Sequence, residues 1–246
     1  MVDDGEVDAL VPDRVWKETE EALRGSNVRV FFEVLRASGA LQRLFPELDR
    51  LFGVPQPEEW HPEIDTGLHT MMVLDQAESL SNDLEVRFAA LTHDLGKGTT
   101  PKAALPRHLR HEARGARLIR EMADRMPIPK ACRDLGILVA DLHTHCHRAL
   151  ELRDKTILKV LEESDAFRRP ERFEQFLIAC EADARGRTGL ENRDYPQADF
   201  LRGAFAAAST VDSGAIAKQH EGSKIPTAIR EARQDAIREF LKLAQP

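Results

Sequence analysis

Apolar residues recur along this chain three or four positions apart, the helical period, and nowhere alternate long enough to suggest a strand. Residues 12–24 begin with Pro12, continue in good helix formers, and place Val15, Trp16, Thr19 and Leu23 on one face. Further helices are predicted over 28–35, ending near Ser38-Gly39, and over 40–51, interrupted at Pro46. Residues 53–66, with Pro55, Pro57 and Pro62, read as a connector in which Trp60 is expected to pack on a neighbouring helix. Asp65 or Thr66 then caps a helix carrying His69, Met71, Met72, Leu74 and Leu80. Phe88, Leu91 and Leu95 keep helical spacing, which puts the adjacent His93 and Asp94 near a helix C-terminus. After a loop marked by Pro101 and Pro106, His108, His111 and Glu112 begin another helix, which Pro127 and Pro129 end. Residues 131–142 deliver His143, His145 and His147. Residues 155–167 carry Asp165 near their end, and 173–184 carry Asp183 ahead of Arg185-Gly186-Arg187. Residues 188–197 are turn-rich, and amphipathic helices over 200–211 and 225–243 follow. The expected fold class is all-α.

Composition narrows the class. With 246 residues the chain suits one large domain or two small ones, and 42% hydrophobic residues suffice for a core. A charged fraction of 31% and a mean hydropathy of -0.42 fit a soluble protein. No apolar run is long enough to span a bilayer and the first residues do not resemble a signal peptide, so a cytoplasmic protein without a membrane partner is expected. Cys132, Cys146 and Cys180 are odd in number and form no C-x-x-C pair, which favours reduced thiols over disulfides or a zinc site. The net charge of -7 argues against a basic coat for nucleic acid. Local patches remain in Arg107, Arg110, Arg114 and Arg117, in Arg168-Arg169 and in Arg185–Arg187, although such runs are more often solvated helix faces.

Histidine placement changes the picture. Seven of the nine histidines fall between positions 69 and 147. His69, the His93-Asp94 pair, His111, His143 and Asp165 belong to five successive predicted helices, all near helix ends. A buried carboxylate beside an imidazole is costly unless an ion compensates it. Converging nitrogen and oxygen donors suit a borderline or hard divalent cation with water positions left open, as hydrolysis requires.

His69 followed after 24 residues by His93-Asp94, with a later Asp, resembles the HD superfamily of metal-dependent phosphohydrolases. Three stretches are similar to the C-terminal half of bacterial multifunctional CCA-adding tRNA nucleotidyltransferases: His61-Pro-Glu-Ile-Asp-Thr-Gly-Leu-His69, Thr92-His-Asp-Leu-Gly-Lys-Gly98, and Glu181-Ala-Asp-Ala-Arg-Gly-Arg-Thr-Gly189. Arg14-Val-Trp-Lys-Glu and Phe31-Phe-Glu-Val-Leu-Arg resemble the tRNA-binding helical neck of those enzymes. The resemblance implies a neck-like subdomain over 1–53, an HD helical bundle over 54–187 and a helical extension over 188–246. It also implies hydrolysis of 2′,3′-cyclic phosphodiesters, 2′-nucleotides and some phosphomonoesters with nickel, magnesium or manganese. The implied ligands are His69, His93, Asp94 and Asp165, with Asp183 as the alternative to Asp165. Asp94, Lys97, His111 and His143 are the implied catalytic groups. Lys97 would neutralise developing phosphorane charge, and His111 and His143 would hold a second metal, contact substrate or act as general acid.

No Gly-Ser turn followed by a spaced Asp-x-Asp pair occurs, so CCA addition by this chain alone is not expected. The chain is expected to be a fragment or a free-standing relative, with a nucleotidyltransferase head as a partner. Where the family often has a second His-Asp pair, this chain reads His143-Thr144, with His145 or Asp141 as substitutes. Expected partners are tRNA or RNA 3′ ends and 2′,3′-cyclic nucleotides, with Trp16, Arg29 and Arg185–Arg187 as RNA contacts. The competing readings are an HD hydrolase of dNTPs or an alarmone, and a metal-free helical tRNA-binding module.

Overall fold

A computed structural model describes Val2 and residues 5–244. Its α-helices are α1 (Pro12–Arg24), α2 (Val28–Ala37), α3 (Ala40–Leu44), α4 (Pro46–Asp49), α5 (Thr66–Leu80), α6 (Leu84–Thr92), α7 (His111–Arg125) and α8 (Lys130–His147). They continue as α9 (Asp154–Glu163), α10 (Pro170–Arg185), α11 (Pro196–Ser209), α12 (Ser213–Gln219) and α13 (Lys224–Ala244). Among the described residues there is no strand, only an isolated bridge between Pro55 and Asp65, so the all-α expectation holds.

The chain forms two compact units, one of Met1–His143 with Gln175–Asp194, the other of Thr144–Glu174 with Tyr195–Pro246. In the first unit, Trp16, Phe32, Leu41, Leu48, Leu51, Met71, Leu74, Phe88, Leu91 and Ile119 belong to one buried cluster. Trp16 lies edge-on to Phe88 with ring centroids 5.9 Å apart, and its indole N–H donates to Glu20. An indole 5% exposed is core, which overturns its expected role as an RNA contact. Buried Arg87 donates to the carbonyls of Leu23 (2.8 Å) and Gly25 (2.7 Å), satisfying orphan groups at the end of α1 from α6. Asp65 caps α5 through the Leu68 amide, as its position before the apolar run suggested.

The second unit packs α9, α11 and α13 together. Asp154 accepts from Gln234 (3.1 Å) and Arg238 (3.0 Å), Arg230 donates to Glu162, and the Arg233 guanidinium sits 3.7 Å over the Phe167 ring.

Three details depart from the sequence pattern. Helix α8 runs through His147, so His143, His145 and His147 lie within it rather than after it. Helix α12 was not anticipated. Trp60 is 61% exposed rather than packed, because amides 60 and 61 both turn back onto the Pro57 carbonyl, a tight surface turn that buries His61 instead.

Gly96 fixes how closely α7 approaches the turn after Asp94. A Cβ at Gly96 would stand 1.9 Å from the His111 carbonyl oxygen and 2.7 Å from the Gly115 amide nitrogen, both backbone atoms that cannot yield. Gly96→Ala is therefore expected to lower stability by about 3 kcal/mol, the upper range for overpacking, as read by denaturant unfolding. An unchanged unfolding midpoint would contradict this packing.

Candidate metal centre

Four imidazoles meet two carboxylates inside the first unit. His69 stands in the first turn of α5, His93 and Asp94 follow the last residue of α6, His111 opens α7, His143 lies on α8 and Asp183 on α10. Every imidazole Nδ1 reaches a backbone carbonyl, which only accepts. The pairs are His69 with Gly186 (3.0 Å), His93 with Ala90 (2.8 Å), His111 with His108 (2.8 Å) and His143 with Val139 (2.9 Å). In the neutral rings the proton is thereby held on Nδ1, and Nε2 becomes a lone pair.

All four Nε2 atoms lie within 4 Å of Asp94, and those of His69 and His93 also lie within 4 Å of Asp183. His69 Nε2 lies 3.1 Å from Asp183 Oδ1 and 3.9 Å from Asp94 Oδ2; His93 Nε2 lies 3.0 Å from Asp94 Oδ2 and 3.8 Å from Asp183 Oδ1. On the other side of Asp94, Oδ1 lies 3.4 Å from His111 Nε2 and 3.7 Å from His143 Nε2, and those two nitrogens are 3.4 Å apart. Acceptors thus face acceptors, and His93 Nε2 and Asp94 Oδ1 are buried with no hydrogen-bond partner. Such a nest costs several kcal/mol unless a cation enters it.

This fits a divalent metal. His69, His93 and Asp183 form one candidate ligand set, and Asp94, His111 and His143 form another. Imidazole with carboxylate oxygen is the donor mixture that borderline divalent ions favour.

Lys97 supplies a fixed positive charge beside Asp94, its ammonium 2.7 Å from Asp94 Oδ2 and 2.8 Å from the Gln56 amide oxygen. Burial alone would raise the Asp94 pKa, but Lys97 and the surrounding imidazoles hold it well below the carboxylate range. Burial pushes His143 down to about 3, keeping it neutral. Burial also disfavours the charged form of His93, yet Asp94 and Asp183 outweigh it and leave that pKa raised. Behind His69, Glu63 Oε1 lies 3.0 Å from its Nδ1 and 3.1 Å from His61 Nδ1, tying the connector to the ligand.

Asp165, expected as the fourth ligand with Asp183 as its alternative, is in none of the candidate ligand sets among the described residues. It sits in the second unit with φ 60°, in the left-handed position that ends α9. The Ala166 amide closes back onto Leu161, and the carboxylate is occupied by Arg168 (2.9 Å) and Arg169 (3.3 Å). Asp183 stands in its place. Gly186 makes that docking geometrically feasible, since a Cβ there would come within 2.6 Å of the Val73 backbone on α5. Arg187 spans from Asp183 (3.5 Å) to the Trp60 carbonyl (3.1 Å) and Arg185 pairs with Glu181, so neither is a free RNA contact. Arg29 is likewise engaged, with Glu33 and Asp75.

Glu63, Gln56 and His61 gained no role from spacing, although His61 and Glu63 lay inside the stretch that carried the resemblance. That motif was the only signal for His61 and Glu63, and Gln56 had none, because a connector has no periodicity to mark a buried face.

Residues 66–174 match the HD domain family. The chain carries an HD domain. Residues 5–52 match a second family, the probable RNA and SrmB-binding site of polymerase A. The chain is 58% identical over 241 residues to the multifunctional CCA protein of Thioalkalivibrio sulfidiphilus, covering 98% of this chain and 59% of that protein. The multifunctional CCA proteins of Nitrosococcus oceani (56% over 240 residues; 97% and 59%) and Pseudomonas fluorescens (51% over 241 residues; 98% and 59%) are similar to the same extent. The chain thus spans about three-fifths of the length of these relatives, their C-terminal part. The HD match ends nine residues short of Asp183. No described helix is long and apolar enough to cross a membrane.

Two outcomes follow for binding. Asp183→Asn is expected to weaken binding of nickel or manganese at least 10-fold in calorimetric titration, whereas Asp165→Asn leaves it unchanged. Equal losses would sink this assignment. Because the raised His93 pKa favours a proton that the metal must displace, affinity is expected to fall as pH drops through that titration, with protons released on binding. Calorimetry at one pH in buffers of different ionisation enthalpy measures that release.

Proposed function

We propose that the His69–His93–Asp94–Asp183 cluster holds a divalent cation and hydrolyses phosphoesters at RNA 3′ ends, with 2′,3′-cyclic phosphodiesters as the substrate class and 2′-nucleotides and simple phosphomonoesters as secondary ones. The observation that carries this reading is the meeting of four Nε2 lone pairs with two buried carboxylates, one of whose oxygens has no protein donor. The HD match supports metal-dependent hydrolysis, and the likeness to multifunctional CCA proteins supports a role in tRNA processing. The RNA-binding match over 5–52 supports tRNA or another RNA as partner. The nucleotidyltransferase head that CCA addition requires would act as a partner of this chain.

A bound divalent ion supplies Lewis acidity toward phosphoryl oxygens and acidifies water. The chain's own residues do the rest. Lys97, already 2.7 Å from Asp94 and close to the cluster, offers positive charge to equatorial phosphoryl oxygens as negative charge builds on them. His143, held neutral by burial with its proton on Nδ1, presents its Nε2 lone pair toward Asp94 Oδ1 and His111, where it can take a proton from the attacking water. The proton taken up at His143 Nε2 would pass to His111 Nε2, 3.4 Å away and less buried, and from there to the departing ribose oxygen, which leaves both imidazoles neutral again. With His143 followed by Thr144, Asp94 Oδ1, 3.4 Å from His111 Nε2 and 3.7 Å from His143 Nε2, would take part in orienting both imidazoles.

Asp94→Ala is expected to reduce kcat/KM for 2′,3′-cyclic AMP at least 1,000-fold in the presence of nickel or manganese. His143→Ala should lower kcat more than it raises KM. Turnover of the cyclic nucleotide that survives Asp94→Ala would refute the mechanism, and preferential turnover of dGTP would move the protein to nucleotide triphosphate hydrolysis.

A further inference from the structure

The residues of the centre differ in their access to solvent. His69, His93 and Asp94 are 0–2% exposed, whereas Lys97 is 7% and His111 9% exposed. Solvent therefore reaches the site on the side where the chain runs from Lys97 to His111. Over the seventeen residues from Leu95 to His111 the sequence holds Lys97, Lys102, Arg107 and Arg110 and not one Asp or Glu, in a chain of net charge -7. Lys97 is buried and committed to Asp94 and Gln56. Lys102, Arg107 and Arg110 are exposed, and none of them forms an ion pair among the described residues.

Nearby arginines show what a committed cation looks like. Arg114 is spent on the Gly96 carbonyl and on the hydroxyls of Thr99 and Thr100, and Arg117 pairs with Glu121 across one helical turn. The three exposed cations lack such partners although the loop that carries them is well pinned. His108 donates from Nε2 to the Pro55 carbonyl (3.0 Å) and accepts on Nδ1 from the Thr100 hydroxyl (2.8 Å). Amides 104 and 107 close turns onto the carbonyls of Pro101 and Ala104, each at 2.8 Å. The same loop leads directly into the site, because the His108 carbonyl holds the Nδ1 proton of His111. Uncompensated charge on an ordered loop that ends at a ligand-bearing histidine calls for an anion larger than the one at the metal.

We propose that this loop holds the phosphate backbone of a single-stranded RNA whose 3′-terminal phosphoester sits at the centre, so that a polymer end is preferred over a free cyclic mononucleotide. The inference rests on the phosphoesterase reading above and assigns a polyanion contact outside the 5–52 segment. Each phosphate contact of this kind releases counterions and adds about 0.7 to the logarithmic salt slope of single-strand binding.

The test compares the full chain with the Lys102→Ala/Arg107→Ala/Arg110→Ala variant, which removes only exposed side chains. Binding of a labelled single-stranded RNA ending in a 3′-hydroxyl is followed by fluorescence anisotropy across a fourfold range of salt. The salt slope should be shallower by about 2 in the variant, so that wild-type affinity falls roughly 20-fold further over that range. kcat/KM should drop for an RNA ending in a 2′,3′-cyclic phosphate and stay unchanged for 2′,3′-cyclic AMP. The charge-keeping Lys102→Arg/Arg107→Lys/Arg110→Lys variant should restore both readouts. An unchanged salt slope, or equal losses on the RNA and the mononucleotide, would overturn the proposal. If wild-type protein turns over neither substrate, the hydrolase reading fails while the anisotropy slopes still decide the role of the loop.

Discussion

The arrangement depends on one constraint: several lone pairs are forced to face one another in a place water barely reaches. Each imidazole spends its Nδ1 proton on a carbonyl of the surrounding backbone, and what remains to point inward is acceptor. Asp94 and Asp183 add only more acceptors. One buried ammonium, Lys97, offsets part of that density but sits to one side, on Asp94 Oδ2. The Oδ1 side, facing His111 and His143, has no protein donor. Either a proton or a cation would relieve this crowding, and the mixture of imidazole and carboxylate donors is one that a divalent cation could take.

Holding such a site requires backbone more than side-chain adjustment. Gly96 and Gly186 let two neighbouring segments approach where a single methyl would collide with main-chain atoms. Asp65 ends the connector and starts α5 one turn before His69, while Glu63 reaches back to the same imidazole. Arg87, buried between α1 and α6, fastens the N-terminal helices to the element that ends in His93 and Asp94. The segment matching an RNA-binding family and the segment that ends in His93 and Asp94 therefore share one core, with Trp16 of the former edge-on to Phe88 of the latter. Within that unit, an aromatic residue that reads as a surface contact is better spent on packing, because an indole buries more apolar area than it could gain by stacking intermittently on RNA.

The all-α fold, most helix positions, and the grouping of His69, His93, Asp94, Lys97, His111 and His143 were legible before any packing was known. Helical periodicity and caps are local properties, and a His-Asp pair at a helix end is visible without any partner. Which late carboxylate lies beside His69 was legible only in the packed core. Asp165 and Asp183 both stand near the ends of predicted helices, and their local sequences do not say which end meets α5. Asp165 falls two residues beyond its helix, in a left-handed turn where its carboxylate is neutralised by Arg168 and Arg169. Asp183 lies within α10, and Gly186 three residues on lets that helix end press against Val73. The pairing of His69 with Asp183 spans 114 residues of chain, a closure that only the packed core specifies. The connector followed the same rule: without periodicity, nothing local distinguished His61 and Glu63, which turn inward, from Trp60, which stays in water.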